Sequence, residues 1–364
     1  MDEKTKKIIY VICGVVLVAC VIWLLIDFKI INLGGKEKPN DNPPVANETE
    51  PEPVPEPTQT SKLTIFDENS NTRPFAIMIN NQPGAIKAQT GLNDAYAVYE
   101  FPIEGGMSRS LAFFKDKETA QIGTVRSARQ YHPYYALEHD AIYVHWGSNH
   151  PGSDVISSTK INHIDANSNG GPFFRKNPFG LATEHTGYTS LVKLKSFAQN
   201  KKWRLTTEVK PPIKYSYENI DLSTMSGAKP ATTIDMNYSG SYKLKYTYNA
   251  EKGVYERHYN GKDHKDYLSG EIFTAKNIIV EFVGIGSTKG WKDAAGTNYL
   301  DITNVKGSGK GWYITNGYAR EITWSKSEKT AQTVYKYTDG TEVNINDGRT
   351  YVNFFNKSKS ISIK

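Results

Sequence analysis

Apolar residues are distributed unevenly along this chain. One uncharged apolar run, residues 8–26, follows Lys4, Lys6 and Lys7 and is closed by Asp27. At about 1.5 Å per helical residue, such a run is long enough to cross a hydrocarbon core. All other apolar stretches are short and bounded by polar turn residues, which excludes a protein with several membrane spans. The pattern therefore predicts an N-terminal membrane anchor followed by a folded exterior part.

The apolar run has two interpretations. It can be an uncleaved transmembrane anchor, with residues 1–7 as a cytoplasmic tail, or a lipoprotein signal in which Leu17-Val18-Ala19 precede a lipid-modified Cys20. The apolar residues 21–26 favour the anchor, since the chain after a lipidated cysteine normally turns polar. Both interpretations place the remaining chain outside the cell membrane, attached by its N-terminus, and leave Cys20 as a candidate lipidation site.

Residues 27–62 are predicted to form a disordered linker. Proline and glutamate nearly alternate over residues 51–57. This composition favours extended polyproline conformation and charge repulsion along the chain. The linker would hold the folded part away from the membrane.

Residues 63–205 show strand and helix patterns together. Short apolar runs predict strands at 73–81, 95–101, 110–114 and 141–146. Two helices are predicted, one over 125–140, with Pro133 at its start or at a kink, and one over 190–200, where apolar residues recur at helical spacing. We therefore expect an α+β fold that begins with a mixed α/β N-terminal domain.

After a connection at 206–225, residues 226–364 contain strand and turn patterns almost throughout. Apolar residues alternate from Tyr242 to Tyr248, and residues 312–324 form a predicted hairpin around Asn316-Gly317. Further hairpin turns are predicted at Asn260-Gly261, Asp339-Gly340 and Asp347-Gly348. We expect a mostly antiparallel β C-terminal domain, as a curved sheet or a small barrel.

Composition narrows the possible partners and cofactors. The 44 Lys+Arg against 38 Asp+Glu give a mild net charge of +6, carried mainly by scattered lysines, so nucleic-acid binding is not expected. Both cysteines lie in the apolar run, which excludes a thiolate zinc site or a disulfide after it. The histidine spacings match no zinc signature, and no phosphate-binding glycine loop is present. We expect no metal and no cofactor.

Arginine, histidine and carboxylate side chains are concentrated in the N-terminal domain. Six of the eight histidines fall between residues 132 and 185. Side chains of this kind typically line a cleft for an anionic ligand. The candidate ligand-binding residues are Arg109, Arg126, Ser127, Arg129, Asp140, His145 and His185. Arg126 and Arg129 lie three apart at the start of a predicted helix, where they can clamp a carboxylate or phosphate or instead pair with carboxylates of the protein itself.

Glu100 and Glu104 are the candidate catalytic residues. They flank the end of a predicted strand, just before Gly105-Gly106. One of them can serve as the general acid of a glycan-cleaving enzyme, because a lytic transglycosylase needs a single acid. The alternative is a structural ion pair with an arginine. Ser127 lacks the sequence of a hydrolase nucleophile elbow.

Three motifs of this region resemble a known family. They are Val98-Tyr-Glu-Phe-Pro-Ile-Glu-Gly-Gly106, Gly123-Thr-Val-Arg-Ser-Ala-Arg129 and Glu138-His-Asp-Ala-Ile-Tyr-Val-His145. In these residues the chain resembles the YerB-like family of bacterial membrane-attached or lipoprotein surface proteins, over roughly 63–360. Members of that family carry a proline-histidine-asparagine turn, and this chain matches only its histidine, at His185. The resemblance implies a domain of unknown function with N- and C-terminal parts, and it implies no particular activity.

Two hypotheses for function follow. The first is a membrane-anchored protein that binds or scaffolds an anionic cell-wall polymer or an envelope protein. The second is a peptidoglycan glycan-cleaving enzyme, a hydrolase or lytic transglycosylase, with Glu104 or Glu100 as its acid. The sequence leaves open whether the protein is an enzyme, and it does not predict an oligomeric state.

Overall fold

The computed structural model of the protein describes residues 62–293 and 296–364, together with Glu3. The chain divides into two units, Met1–Gln59 and Thr60–Lys364. The predicted apolar anchor 8–26, Cys20 and the linker up to residue 61 lie outside the described residues. Among the residues that are described, no helix is both long enough and apolar enough to cross a membrane.

Short strands are the main regular elements of the described chain. In its first half they are β1 Phe75–Asn80, β2 Ala97–Pro102, β3 Ser108–Phe114, β4 Ile122–Gly123, β5 Ile142–His145, β6 His163–Asp165, β7 Phe173–Arg175, β8 Gly187–Thr189, β9 Tyr215–Ser216, β10 Lys229–Pro230, β11 Thr233–Asn237 and β12 Lys243–Asn249. In its second half they are β13 Val254–Tyr259, β14 Lys262–Asp263, β15 Thr274–Ala275, β16 Asn277–Val283, β17 Ile285–Lys292, β18 Asn298–Ile302, β19 Gly307–Thr315, β20 Tyr318–Lys326, β21 Val334–Tyr337, β22 Ile345–Asn346, β23 Thr350–Asn356 and β24 Ser362–Ile363.

Three α-helices lie within the described residues: α1 His132–Glu138, α2 His150–Thr159 and α3 Leu191–Asn200. Short 3₁₀ helices occupy Ile86–Ala88, Leu92–Asp94, Glu104–Gly106, Thr183–His185 and Leu222–Thr224. Helix α3 confirms the prediction for 190–200. Its N-cap is Ser190, whose side chain accepts a hydrogen bond from the Lys193 N–H. Helix α2 was not predicted; its N-cap is Asn149, whose side chain accepts a hydrogen bond from the Gly152 N–H.

The predicted helix 125–140 is wrong over its first half, because α1 begins only at His132. Residues 125–131 form no helix, and their backbone groups bond to distant parts of the chain. The N–H of Arg126 donates to the Met78 carbonyl, and the N–H of Ala128 donates to the Gly147 carbonyl. Pro133 lies in the first turn of α1, where its missing N–H costs no helical hydrogen bond.

In the described part of the chain, eleven strands form one mixed sheet with the order β10-β20-β19-β16-β23-β2-β3-β1-β5-β6, and β21 pairs with β20. Its centre is β23, which runs parallel to β16 on one side and to β2 on the other. The sheet therefore continues from residues before the 206–225 connection into residues after it. The proposed domain boundary itself stays a prediction.

Two layers cover the main sheet. A smaller sheet, β14-β13-β12-β11-β24 with β15 on β13, lies on one face, where Tyr246 meets Tyr351 of β23. Helix α1 lies on the other face, where the ring of Tyr135 contacts Phe101 and Phe354. Strands after residue 226 mostly pair antiparallel, as predicted. Most of them are divided between the main sheet and the smaller sheet, while β17 pairs with β18 and β22 pairs with β9, so they do not close into one small barrel.

Candidate anion-binding site

Strands β1 and β5 are parallel neighbours, so their carboxyl ends meet at one edge of the main sheet. Ligand sites commonly form at such an edge. Here residues 124–130, which we call the crossing segment, run between the two strand ends. The Arg126 N–H donates to the carbonyl of Met78 on β1, and the Trp146 N–H beyond β5 donates to the carbonyl of Arg126.

This geometry gathers three arginines, Arg109, Arg126 and Arg129, which we call the arginine cluster. Arg109 lies on β3, opposite Asn80 at the end of β1. Its Nη1 donates to the carbonyl oxygen of Ser127 at 2.6 Å and to the Ser127 Oγ at 3.1 Å. The Nη1 of Arg129 donates to the same Oγ at 3.2 Å. The Ser127 hydroxyl thus lies between two guanidinium groups.

Among the described residues, the cluster forms an ion pair with a single carboxylate, that of Glu104. Arg129 donates from Nε to both Glu104 oxygens at 3.0 and 3.1 Å, and its Nη2 lies 2.9 Å from Oε2. Within residues 62–293 and 296–364, Arg109 and Arg126 make no ion pair, and the buried Nε of each has no hydrogen-bond partner. The cluster therefore has an excess of positive charge.

The pKa shifts follow from this unequal pairing. Burial, together with the charges of Arg129 and Arg126 and against the opposing charge of Glu104, lowers the pKa of Arg109 to about 9. Burial also lowers the pKa of Arg126. For Arg129, burial is outweighed by the hydrogen bonds and charge of Glu104, and its pKa is raised. Arg109 is thus the arginine whose charge the fold stabilises least.

Polar side chains at the end of β1 extend the site. Asn80 Nδ2 lies 2.9 Å from His185 Nδ1, and Gln82 Oε1 accepts from Arg126 Nη2 at 3.2 Å. Burial lowers the pKa of His185. Asn80 and Gln82 were not predicted as site residues, although an Asn-Asn-Gln run at the end of an apolar strand is a visible signal in the sequence. His185 is brought beside the cluster from a distant loop.

Glu104 and Glu100 differ in their surroundings. Burial works against the charge of Glu104, but Arg129 and the Leu300 N–H outweigh it and hold its pKa below the usual range. Glu100 is fully buried on the side of the smaller sheet, with its Oε2 2.7 Å from Arg257 Nη2 and its Oε1 accepting from Ser108. Both predicted acids are therefore in ion pairs, and Glu100 does not join the arginine cluster.

Asp140 and His145 lie at opposite ends of β5. Asp140 precedes the strand and pairs with Arg204 and Arg73, far from the crossing segment. His145 ends the strand, with its Nδ1 2.8 Å from the Gly147 carbonyl and its Nε2 3.0 Å from His163. Burial lowers the pKa of His145 to about 4, so this ring is neutral at neutral pH. No group of described His, Cys, Asp and Glu side chains has a metal-binding arrangement.

The hairpin β17–β18 also reaches the site, which the sequence analysis did not predict. The Leu300 N–H donates to Glu104 Oε1 at 3.0 Å, and the guanidinium of Arg129 lies 5.4 Å from the Tyr299 ring centre. Nothing in the local sequence connects residues so far apart. The contacts arise because β2 and the strands of the C-terminal part share one sheet.

Comparisons with known proteins by sequence and by structure identify the same group of relatives. The sequence model described as "Protein of unknown function (DUF3048) N-terminal domain" matches residues 60–204, and that of the C-terminal domain matches residues 234–352. The chain is 26% identical over 287 residues to the Bacillus subtilis protein named "Putative lipoprotein YerB", covering 77% of this chain and 80% of that one.

A crystal structure of the YerB protein from Bacillus subtilis superposes with a TM-score of 0.66 at 25% identity, covering 80% of this chain and 94% of that chain. The three sequence motifs, the two domain matches and the shared fold agree: this chain belongs to the YerB-like family of proteins of unknown function.

Proposed function

We propose that this protein is a membrane-tethered extracytoplasmic protein that binds an anionic group, a carboxylate or a phosphate, at the arginine cluster. The observation that supports it best is Arg109. Its side chain is 2% exposed, and among the described residues it has neither a carboxylate partner nor a hydrogen bond at Nε. A buried guanidinium that is not paired directly with a carboxylate is costly, and a bound anion would supply the missing partner.

The chemistry of the cluster suits such an anion. Planar guanidinium groups bind carboxylates and phosphates through paired hydrogen bonds, and Arg109 and Arg126 both keep donor capacity at Nε. The Ser127 hydroxyl, which already accepts from two arginines, can donate its own proton to an oxygen anion. Outside a bacterial cell, wall polymers carry carboxylates and phosphates at high density, so we propose an anionic envelope polymer as the partner.

The contacts favour binding over acid catalysis. A general acid needs a carboxyl that is protonated near neutral pH, which requires a raised pKa. The pKa of Glu104 is lowered by Arg129, and Glu100 is buried in a pair with Arg257. In this proposal Glu104 orients Arg129 and does not transfer a proton.

The mode of attachment also belongs to the proposal. The Bacillus subtilis relative carries the word lipoprotein in its name. This chain has Cys20 after a short apolar stretch, so we propose a lipid on Cys20. Metabolic labelling with an alkyne fatty acid should mark the wild-type protein but not Cys20→Ser; equal labelling of the two would refute lipidation at this cysteine.

The binding proposal is tested with residues 60–364, which contain the whole second unit. We would measure co-sedimentation with purified cell walls at low salt, and thermal stabilisation by inorganic phosphate and by acetate. Arg109→Met and Arg126→Gln should abolish both effects. Arg204→Gln is the matched control, because Arg204 is exposed and pairs with Asp140 away from the cluster.

Unchanged wall binding and unchanged anion stabilisation in Arg109→Met would refute the arginine cluster as the binding site. Loss of both effects to the same degree in Arg204→Gln would also refute it, since the effect would then reflect overall charge.

A further inference from the structure

The hairpin β17–β18 adds an aromatic surface beside the arginine cluster. Leu300 fixes the hairpin there, because its N–H donates to Glu104 and its carbonyl accepts from the Gln130 side chain at 2.9 Å. Tyr299, next to Leu300, faces the guanidinium of Arg129. One strand of the hairpin is thus held beside the cluster by its contacts with Glu104, Gln130 and Arg129.

Trp291 lies on the other strand of the hairpin and is 40% exposed. The ring of His150 stacks on its indole at 3.8 Å between centroids and 16° between planes. With His150 against one face of the indole, 40% of the surface of Trp291 still lies open to solvent. His150 follows Asn149, whose N–H donates to the carbonyl of Ala128 in the crossing segment.

The hairpin register relates the two aromatic residues. Lys292 pairs with Asn298, but the register shifts between Ser287 and Lys292, so residues 288–291 lie opposite Tyr299. The Thr288 hydroxyl donates to the Trp291 carbonyl at 3.2 Å and to the Tyr299 carbonyl at 3.3 Å, which keeps the two aromatic residues close together on neighbouring strands. Tyr299 in turn faces Arg129. The described residues therefore place a half-exposed indole, a phenol ring and a guanidinium next to one another.

We infer that Trp291, Tyr299 and the arginine cluster together form a subsite for an anionic sugar, with the ring against the aromatic face and its carboxylate or phosphate on the arginines. The inference rests on the proposed anion binding and specifies its ligand class. Aromatic faces stack well on the apolar face of a sugar ring.

The test compares dissociation constants for residues 60–364 with five probes. N-acetylmuramic acid and glucose 1-phosphate are the anionic sugars, acetate and inorganic phosphate are the simple anions, and N-acetylglucosamine is the neutral sugar. We expect each anionic sugar to bind about tenfold more tightly than its matched simple anion, a gain typical of one aromatic contact. Preference for one anionic sugar over the other distinguishes a carboxylate from a phosphate ligand.

Trp291→Ala should remove most of that tenfold gain and leave the simple anions unaffected, whereas Trp291→Phe should keep part of it. The matched control is Phe179→Ala, because Phe179 is also 40% exposed and its ring contacts Tyr267. Anionic sugars that bind no better than simple anions would overturn the subsite and leave the proposed function standing. Simple anions that do not bind would instead overturn the proposed function, and this subsite with it.

Discussion

Arg109 and Arg349 show how differently two arginines can be accommodated. The guanidinium of Arg349 donates to three backbone carbonyls, those of Asn93, Ala95 and Thr274. Arg109 donates only to Ser127, and its Nε has no partner among the described residues. Arg349 therefore stabilises the backbone that it contacts, whereas the charge of Arg109 weighs against folding.

Substituting methionine at each position should separate these roles. Without added anion, the free energy of unfolding of Arg109→Met should lie within about 1 kcal/mol of the wild-type value, because an unpaired buried charge is replaced by an apolar chain. The free energy of unfolding of Arg349→Met should fall by roughly 2 kcal/mol or more, because the substitution leaves buried carbonyls without donors. Urea denaturation of residues 60–364 measures both. A loss of stability in Arg109→Met as large as that in Arg349→Met would mean that Arg109 is structural.

Glu281 gives a prediction for pH dependence. Burial raises its pKa to about 8, its hydrogen bond from Tyr335 opposes this, and the charge of Glu138 adds to the rise against the effect of Lys326. The folded state thus holds a proton that the unfolded chain releases at much lower pH. Its contribution to stability is full below the unfolded value of 4.5 and is lost as the pH rises toward 8.

Glu281→Gln stays neutral at every pH and keeps an oxygen for Tyr335. Relative to the wild type, its free energy of unfolding should therefore increase between pH 5 and pH 8, by on the order of 2 kcal/mol or more. Glu328→Gln is the control, since Glu328 is exposed and pairs with Lys306. A constant difference between Glu281→Gln and the wild type across this range would show that Glu281 is ionised in the folded protein.

At the scale of elements, the crossing segment shows where sequence patterns mislead. Val125, Ala128 and Tyr131 are buried at a spacing of three, which imitates the apolar stripe of a helix. The segment instead exchanges backbone hydrogen bonds with β1 and with the residues after β5. The four strands predicted between residues 73 and 146 and helix α3 were predicted well because their apolar periodicity is local. The very short strands β4, β6, β7 and β8 were missed, and the predicted hairpin turn at Asp347-Gly348 is wrong, because β22 and β23 do not pair with each other. The conformation of the crossing segment depends on partners that only the fold brings together.

The candidate site, too, could be predicted only where its residues lie close together in the sequence. Arg126, Ser127 and Arg129 were chosen from one motif and Arg109 from the concentration of arginines. The structure brings Arg109 and Arg129 onto the Ser127 hydroxyl, with the charge of Arg126 nearby. Asp140 was chosen because it precedes the strand that carries His145. The two residues lie at opposite ends of β5, however, and Asp140 pairs with Arg204 at the end away from the arginine cluster. Tyr299 and Leu300 left no signal, since their contact with Glu104 depends on strand order.

Gly311 allows the packing of the main sheet to be tested at one position. A Cβ built there would lie 2.3 Å from the carbonyl oxygen of Val280 on β16. Gly311→Ala should therefore push β19 away from β16 and cost roughly 2 kcal/mol or more. Gly171→Ala is the matched control, because a Cβ at Gly171 meets nothing within 4 Å. Equal unfolding free energies for the two variants would show that the strands accommodate a side chain without strain.

At the scale of the whole molecule, β23 determines how the two family domains depend on each other. It comes from near the end of the chain, yet it pairs in parallel with β2 of the N-terminal part over Ala97 to Glu100. Its residue Phe354 stacks on Phe101 at 4.2 Å between ring centres. The apolar periodicity of a strand indicates which of its faces is buried, but not which strands it pairs with. This strand order therefore could not be predicted from the sequence pattern.

The arrangement of β23 predicts that residues 60–204 do not fold alone. Without β23, strand β2 would lose its ladder on one side, and Phe101 would lose its stacked partner, leaving a long apolar edge exposed. We expect residues 60–364 to unfold in urea in one cooperative transition, and residues 60–204 to show no near-ultraviolet circular dichroism and no cooperative transition. Co-expression with residues 205–364 should restore a soluble complex with the native spectrum. Cooperative unfolding of residues 60–204 by themselves would instead show that the shared sheet only docks two independent domains.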